Sequence, residues 1–291
     1  MPVLKLYPNG LTGGVPPCSK NTKSSPRGDC HGWTLRTSRG NTRFLYSVLS
    51  DQLSITPPGD QLLGLSGSLT VRQCPSTHND WKELREALFQ RLRRMGLYRL
   101  HWLTEWQKRG VPHLHFAAWF NMPESQYDQQ VLPVLIKADW LYLTCRLRSS
   151  DKAQHVEPIT NELGWLQYLS KHASRGAAHY QRAKASIPSG WVKTGRMWGH
   201  LGQWPTREPL GLNLDRQGWF RFRRLIKGWR TAQARSSNGP RGRRINSARR
   251  MLNCTDRQLS EVRGVSEWIG DQLGLDVIDW LSRNGHTIES I

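Results

Sequence analysis

Acidic side chains are scarce in this sequence. Asp and Glu number 22 against 42 Lys and Arg in 291 residues, leaving a formal net charge of +20. A field of that sign and size favours polyanionic partners, nucleic acid first, with association that weakens in salt. The plainer reading is a solvated basic surface that keeps the chain soluble. Long apolar runs are missing as well. None approaches the ~20 residues that cross a bilayer, and the N-terminal region has no signal-peptide apolar segment. The expectation is a soluble, unsecreted, cytoplasmic protein without a membrane partner. Five cysteines, at positions 18, 30, 74, 145 and 254, are odd in number and irregular in spacing, so no disulfide framework is implied. Cys18 with Cys30 and His31, or Cys74 with His78, offers zinc-binding atoms. Neither group has the paired Cys-x-x-Cys knuckles of a structural zinc site. No Gly-x-x-x-x-Gly-Lys-Ser/Thr loop occurs, so no nucleotide cofactor is expected.

Tryptophan, by contrast, is abundant at 14 residues. It supplies stacking surface, although most tryptophans of a globular domain belong to its core. Apolar periodicity and turn residues divide the chain into four segments. Residues 1–60, rich in Gly, Pro, Ser and Thr, read as an irregular extension with one strand over 44–49. Residues 61–205 read as the principal domain. It begins with a strand near 69–71 and a helix starting at 77–80, whose apolar stripe is Trp81, Leu84, Leu88, Leu92 and Met95. Strands follow over 98–106 and 113–120, then a largely helical stretch over 124–147, a short strand over 155–159, a helix over 161–173 and a closing edge over 191–204. That order predicts an α+β sandwich, an antiparallel central sheet with helices packed on it. Residues 206–254 read as a basic linker or DNA-binding segment, with no Asp or Glu over 221–250 and a flexible stretch over 236–240. Residues 255–291 reverse the sign of charge and suggest two short helices. There is no internal repeat.

The chemistry is concentrated in two places. The first is Glu105 followed by His113 and His115. Alternate residues of a strand share a face, so the two imidazoles point together while Leu114, Phe116 and Ala118 point to the other side. A loop centred on Arg109 and Gly110 returns the chain so that Glu105 lies opposite His113 to His115, within reach of one ion. Two imidazoles and a carboxylate with open positions suit a divalent cation, Mg²⁺ or Mn²⁺, acting as a Lewis acid on a phosphoryl oxygen. The plain alternative is a surface His-x-His on an ordinary hairpin, with Glu105 paired to Lys108 or Arg109. His101 shares the parity of Glu105 and reads as a supporting group, a substitute ligand or simply a polar residue on that face.

The second place is Tyr168 with Lys171, one helical turn apart on the helix over 161–173 and turned from the Leu163, Leu166, Leu169 and Ala173 stripe. A phenol titrates near 10 when free, so a tyrosine nucleophile needs a cation or a polarised phosphate beside it, and Lys171 supplies the cation. Here the plain alternative is a half-buried tyrosine next to a solvated lysine.

These motifs together resemble the HUH endonuclease superfamily, specifically the rolling-circle replication initiators (Rep proteins) of phages, plasmids and small single-stranded DNA viruses. Gly67-Ser68-Leu69-Thr70-Val71 is similar to the first family motif, Pro112-His113-Leu114-His115-Phe116 with Glu105 to the second, and Tyr168-Leu169-Ser170-Lys171 to the third. Arg196-Met197-Trp198-Gly199 resembles an Arg-x-Trp-Gly that follows the nuclease core in phage and plasmid initiators. Relaxases place the tyrosine before the histidines, opposite to the order here, and related transposases carry glutamine where Lys171 stands. The nearest second tyrosine, Tyr180, lies beyond the predicted helix, so a single-tyrosine enzyme is expected. The absent phosphate loop excludes the fused helicase of eukaryotic-virus Reps and points to a bacterial phage or plasmid.

The resemblance implies an HUH nuclease core over 61–205: an antiparallel, about five-stranded sheet with flanking helices in an RRM/ferredoxin-like palm. It implies a DNA nickase and strand transferase, with Tyr168 attacking single-stranded or hairpin origin DNA to leave a 5′-phosphotyrosyl link and a priming 3′-OH. Glu105, His113 and His115 would hold Mg²⁺ or Mn²⁺, and Lys171 would assist. A host helicase and DNA polymerase are the implied protein partners, in the cytoplasm of a bacterial host. Arg109, Arg196, Arg221, Arg223, Arg224, Arg241, Arg243 and Arg244 are the candidate phosphate contacts. Two other readings stay open: a single-tyrosine transposase of the same superfamily, and a non-catalytic basic nucleic-acid-binding protein.

Overall fold

The computed structural model describes residues 1–15, 32–121, 130–174, 181–236 and 264–291, with isolated positions between 242 and 248. In chain order the first elements are β1 (Val3–Tyr7), β2 (Gly10–Gly14), α1 (Leu35–Ser47), β3 (Leu62–Thr70), α2 (His78–Arg94), β4 (Leu97–Trp106) and β5 (Pro112–Asn121). They are followed by α3 (Val131–Leu143), β6 (His155–Pro158), α4 (Glu162–Ser174), β7 (Trp198–Gly202), β8 (Leu210–Leu214) and α5 (Arg216–Ser236). The last are β9 (Val265–Trp268), α6 (Asp271–Arg283) and β10 (Ile288–Ser290). The fold is α+β, with two antiparallel five-stranded sheets. Among the described residues no helix is long and apolar enough to cross a membrane.

The chain divides into two compact units, Ser25–Thr206 and the paired segments Met1–Ser24 and Arg207–Ile291. In the first unit the sheet runs β6-β3-β5-β4-β7. Its centre is the β4–β5 hairpin, closed by Gln107 N–H to Val111 O and Gly110 N–H to Gln107 O, both 2.9 Å. Gly110 takes φ +74° there, a conformation that favours glycine. The two sheet faces differ in kind. One carries Leu100, Trp102, Thr104, Leu114, Phe116, Ala118 and Phe120, and it packs on α2 and α3. Trp81 of α2 donates to Thr104 Oγ1 at 3.2 Å, and Trp140 of α3 stands edge-on to Trp81. α2 starts where expected, at Thr77, whose side chain and that of Asp80 cap each other's backbone N–H. Arg85, off the predicted stripe, is nonetheless buried with its guanidinium 3.9 Å over the Trp102 ring. The opposite face mixes polar residues with Leu103, Ala117 and Trp119. It holds Ser66, Ser68, Thr70, His101, Glu105, His113 and His115, covered in part by α1 and α4.

Sequence and structure part at several places. The strand expected over 44–49 is the end of helix α1. That helix buries Ser38, Asn41 and Leu45, a stripe of helical spacing that two polar residues conceal from hydrophobic patterning. The strand expected near 69–71 starts earlier, at Leu62. The "irregular extension" and the C-terminal segments do not stand apart: β1 and β2 pair with β8, β9 and β10 in the order β10-β8-β1-β2-β9. Leu4, Leu6, Leu11, Leu212 and Leu214 of that sheet pack with Trp219, Phe222 and Ile226 of α5 and Leu281 of α6. Within the segment expected as a linker, Arg216–Ser236 is a helix of 21 residues with an apolar face. The C-terminal segment, expected as two helices, contributes strands on either side of one helix. Residues 237–240, expected to be flexible, lie outside the described residues, as do 122–129 at the head of the predicted helical stretch.

Gly67 on β3 leaves room for the Phe116 ring of β5. An added Cβ would stand 2.1 Å from Cε1 and 2.2 Å from Cζ of Phe116. Gly67→Ala is expected to destabilise the protein by about 1–3 kcal/mol through overpacking. Chemical denaturation of the two proteins measures it, and an unchanged midpoint would show that the ring moves aside freely.

Candidate active site

On the polar face the pairing register sets Glu105 of β4 directly opposite His113 of β5, and Leu103 opposite His115. On the other side of β5, Ser68 and Thr70 of β3 lie opposite His115 and His113. The two imidazoles are neighbours, with ring centroids 4.3 Å apart and planes at 73°. His115 Nε2 is 3.7 Å from Glu105 Oε2. Each of the three is also held from behind. Ser68 Oγ lies 2.8 Å from His115 Nδ1, and the Gln107 amide lies 3.1 Å from His113 Nδ1. Arg182 Nε donates to Glu105 Oε1 at 3.0 Å. Outer partners on the far atoms of ligands fix ring and carboxylate orientation at metal sites.

Glu105 is fully buried and His115 nearly so. Burial, with the cation of Arg109 adding to it, pushes the His113 pKa down to about 4, so its imidazole is neutral at pH 7 as a metal ligand must be. Two neutral-capable imidazoles and a carboxylate are chemically suited to a divalent ion. Among the described residues, however, no group of three or more His, Cys, Asp or Glu side chains is placed to hold a metal ion as the protein stands. The buried guanidinium of Arg182 engages one oxygen of the Glu105 carboxylate, and the other lies toward His115.

Tyr168 comes to this group from α4. Its ring lies 5.9 Å from that of His115, edge-on, and stacks at 4.9 Å with Trp165 one turn earlier. Leu166 and Leu169 are buried as predicted, while Leu163 is 38% exposed. Tyr168 thus faces the polar side of the sheet and is half-buried, where the sequence suggested a face simply turned from the core. Lys171 belongs to the same helix, but its side chain lies outside the described residues, and so do Tyr180, Arg241, Arg243 and Arg244.

The remaining candidates scatter. His101 is fully buried and joins an aromatic cluster, stacked on Phe44 with Asn41 Oδ1 2.8 Å from its Nε2, so it is neither beside Glu105 nor a substitute ligand. Arg109 is exposed, but its guanidinium donates to Arg72 O and Gln107 Oε1, tying the hairpin loop to the end of β3. Arg196 is exposed beside buried Met197. Arg221 and Arg224 are exposed on α5 in the other unit, whereas Arg223 is only 5% exposed, which removes it from any DNA-facing surface. For the zinc alternative, burial pushes the Cys74 thiol up to about 11, and among the described residues no group of three His, Cys, Asp or Glu around it is placed to hold a metal ion. Cys18, Cys30 and His31 lie outside the described residues.

Sequence reasoning missed Arg182, Ser68 as a partner of His115, and Trp33. Arg182 carries no local signal, being a lone arginine in an irregular segment. Ser68 was within reach, because it sits in the first motif and alternates with Gly67 on a strand that pairs with β5.

The chain is 42% identical over its full length, and over the full length of the relative, to a putative replication protein of Xylella fastidiosa strain 9a5c. A second putative replication protein, from strain Temecula1, is 42% identical over 92% of this chain and 99% of its own. The replication-associated protein G2P of Pseudomonas phage Pf3 is 40% identical over 98% of this chain and 99% of its own. No family model matches the chain, and no solved structure matches it.

The desolvated imidazoles of His101 and His113 make stability depend on pH. Burial lowers the pKa of His101 to about 3 and of His113 to about 4, against an unfolded value near 6.5. Above 6.5 neither state is protonated at these groups. Between 6.5 and 4 the unfolded chain binds protons that the folded one refuses, so stability falls as pH falls. The melting temperature in chelator is expected to drop by at least about 4 °C between neutral pH and pH 4.5. His101→Gln should flatten that slope, and an equally steep profile in the variant would assign it to other groups.

Proposed function

The chain belongs to the family of replication proteins that includes G2P of phage Pf3, and on that premise we propose that it initiates rolling-circle replication as an HUH-type, tyrosine-dependent DNA nickase. The observation that carries this reading is the approach of Tyr168, on a helix, to His115, on the strand whose other imidazole lies opposite Glu105. A nucleophile and a metal-type donor set on one polar face match the demands of phosphoryl transfer: alignment of the attacking oxygen and neutralisation of charge at phosphorus. A divalent ion, Mn²⁺ more readily than Mg²⁺ for a set with two imidazoles, held by Glu105, His113 and His115 would supply Lewis-acid polarisation of the scissile phosphate.

The chain's own groups account for the rest. Ser68 and Gln107 keep the two rings oriented, and Arg182 keeps Glu105 in place. Trp165 fixes the plane of the Tyr168 ring by stacking on it. Tyr168 Oη forms the new bond to phosphorus and the P–O3′ bond breaks, so the phenol loses a proton and the departing 3′-oxygen gains one. One phosphodiester replaces another, no nucleotide is consumed, and the 3′-OH can later reverse the exchange to rejoin the strand. Lys171, on the same helix one turn beyond Tyr168, is placed by sequence to assist charge development. A cleft lined by Thr70, Arg72, Arg109 and Ser149 opens beside the strand pair that bears His113, a basic path for DNA flanking the scissile phosphate.

Labelled single-stranded oligonucleotides tiled across the replicon's origin, incubated with the full chain and Mn²⁺, are expected to give an SDS-resistant protein–DNA adduct. Tyr168→Phe should lower adduct formation by about 10³-fold or more, because it removes the attacking oxygen. Chelation should abolish the adduct and leave most salt-sensitive DNA binding intact. An unaltered adduct with Tyr168→Phe would move the nucleophile elsewhere. Binding with no adduct on any oligonucleotide would favour the non-catalytic reading.

A further inference from the structure

Arg182 is a buried cation built into the site from several directions. It is 1% exposed and its partner Glu105 is 0% exposed. Its guanidinium lies 3.8 Å over the Trp33 ring, and Nη1 is 3.3 Å from Ser38 Oγ of α1. Trp33 is itself anchored, donating from Nε1 to the backbone carbonyl of Thr104 at 2.8 Å. The preceding residue, Gln181, accepts a backbone hydrogen bond from Trp106 at 2.9 Å, which fixes the segment against β4. A guanidinium cannot shed its proton at any working pH, so this charge is permanent.

That permanence bears on the divalent ion. The charge on Glu105 is already matched by Arg182, whose Nε lies 3.0 Å from Glu105 Oε1. A dication entering beside Glu105 therefore meets a site whose carboxylate is already paired, with a fixed positive charge on its far oxygen. In a buried setting such a charge is poorly screened and weakens cation binding. The negative charge that would favour the ion must come from a further group, and a DNA phosphate is the group the proposed reaction brings.

We propose that Arg182 is the resident counter-cation of Glu105, competing with the divalent ion for that carboxylate and so making ion loading depend on the DNA phosphate. The inference rests on the metal-dependent reading above. By linkage, the ion then strengthens DNA binding by the same factor that DNA strengthens ion binding. An ion held weakly in the free protein and firmly with DNA restricts strand cleavage to the assembled complex.

Mn²⁺ binding to the full chain without DNA, followed by electron paramagnetic resonance of the free ion, tests this. Arg182→Gln is expected to bind Mn²⁺ at least about tenfold more tightly than the wild type, since it removes the competing charge and keeps a hydrogen-bond donor. Arg182→Lys, which keeps the charge, should stay close to the wild type. Arg182→Gln should also melt lower in chelator and gain more on Mn²⁺ addition than the wild type does. An Arg182→Gln affinity equal to or weaker than wild type would overturn the proposal, leaving Arg182 a purely orienting residue.

Should Arg182→Gln not fold, Tyr168→Phe protein is compared with and without the oligonucleotide that gives the adduct. Mn²⁺ affinity should rise by about tenfold with DNA, and an unchanged value overturns the coupling. A His113→Ala/His115→Ala protein that binds Mn²⁺ as well as the wild type would instead sink the metal reading itself.

Discussion

Side chains of β5 alternate across the sheet, and antiparallel pairing with β4 and β3 decides which neighbours each imidazole meets. With Glu105 opposite His113 and Ser68 opposite His115, the His115 ring lies between the Ser68 hydroxyl and the Glu105 carboxylate, while His113 meets the Gln107 amide. A slip of one residue would turn Leu114 and Phe116 toward the polar face and send both imidazoles into the packing against α2 and α3. The tight hairpin at Gln107–Val111 and the apolar face beneath it therefore hold the candidate site as much as they hold the fold. Gly67 belongs to the same constraint. It lets the Phe116 ring lie against β3 on one side, while the next residue, Ser68, meets His115 on the other.

This explains which parts were legible in the sequence. The hairpin was readable because its determinants are local: alternation, a turn glycine and strands of matched length. α2 was readable from its capping residues and its stripe, and the order from β3 to α4 followed from the same periodicities. α1 was hidden because its buried stripe includes Ser38 and Asn41, which satisfy partners rather than supply hydrophobicity. The second sheet was hidden for a different reason. β1 and β2 stand at one end of the chain and β8 to β10 near the other, and short Gly-containing strands give no sign of which distant segment they pair with. α5 was misread because its charges dominate its composition, although Trp219, Phe222 and Ile226 fall at helical spacing on one face.

The polar face is an energetic exception within the first unit. His101, Glu105, His115 and Arg182 are all buried, and each desolvated polar group must find compensation. The solutions differ. His101 is kept neutral among aromatic rings. Glu105 and Arg182 form an ion pair whose two charges would each be far more costly alone. A site of this kind contributes little net stability, and its worth lies in holding atoms where chemistry needs them.

Charge is divided accordingly. The large positive surplus sits mainly on exposed side chains such as Arg72, Arg196, Arg221 and Arg224, where water and salt screen it. Such charges draw in a polyanion and hold it loosely, with little regard for sequence. The buried groups around Tyr168 are instead nearly balanced, a carboxylate against a guanidinium. If those inner groups carried the same surplus, a bound dication would be repelled. If they carried a bare carboxylate, they would hold the dication whether or not DNA was present. On the proposed reading, a balanced interior would leave affinity to exposed cations, and the phosphate itself would complete the charge at the centre.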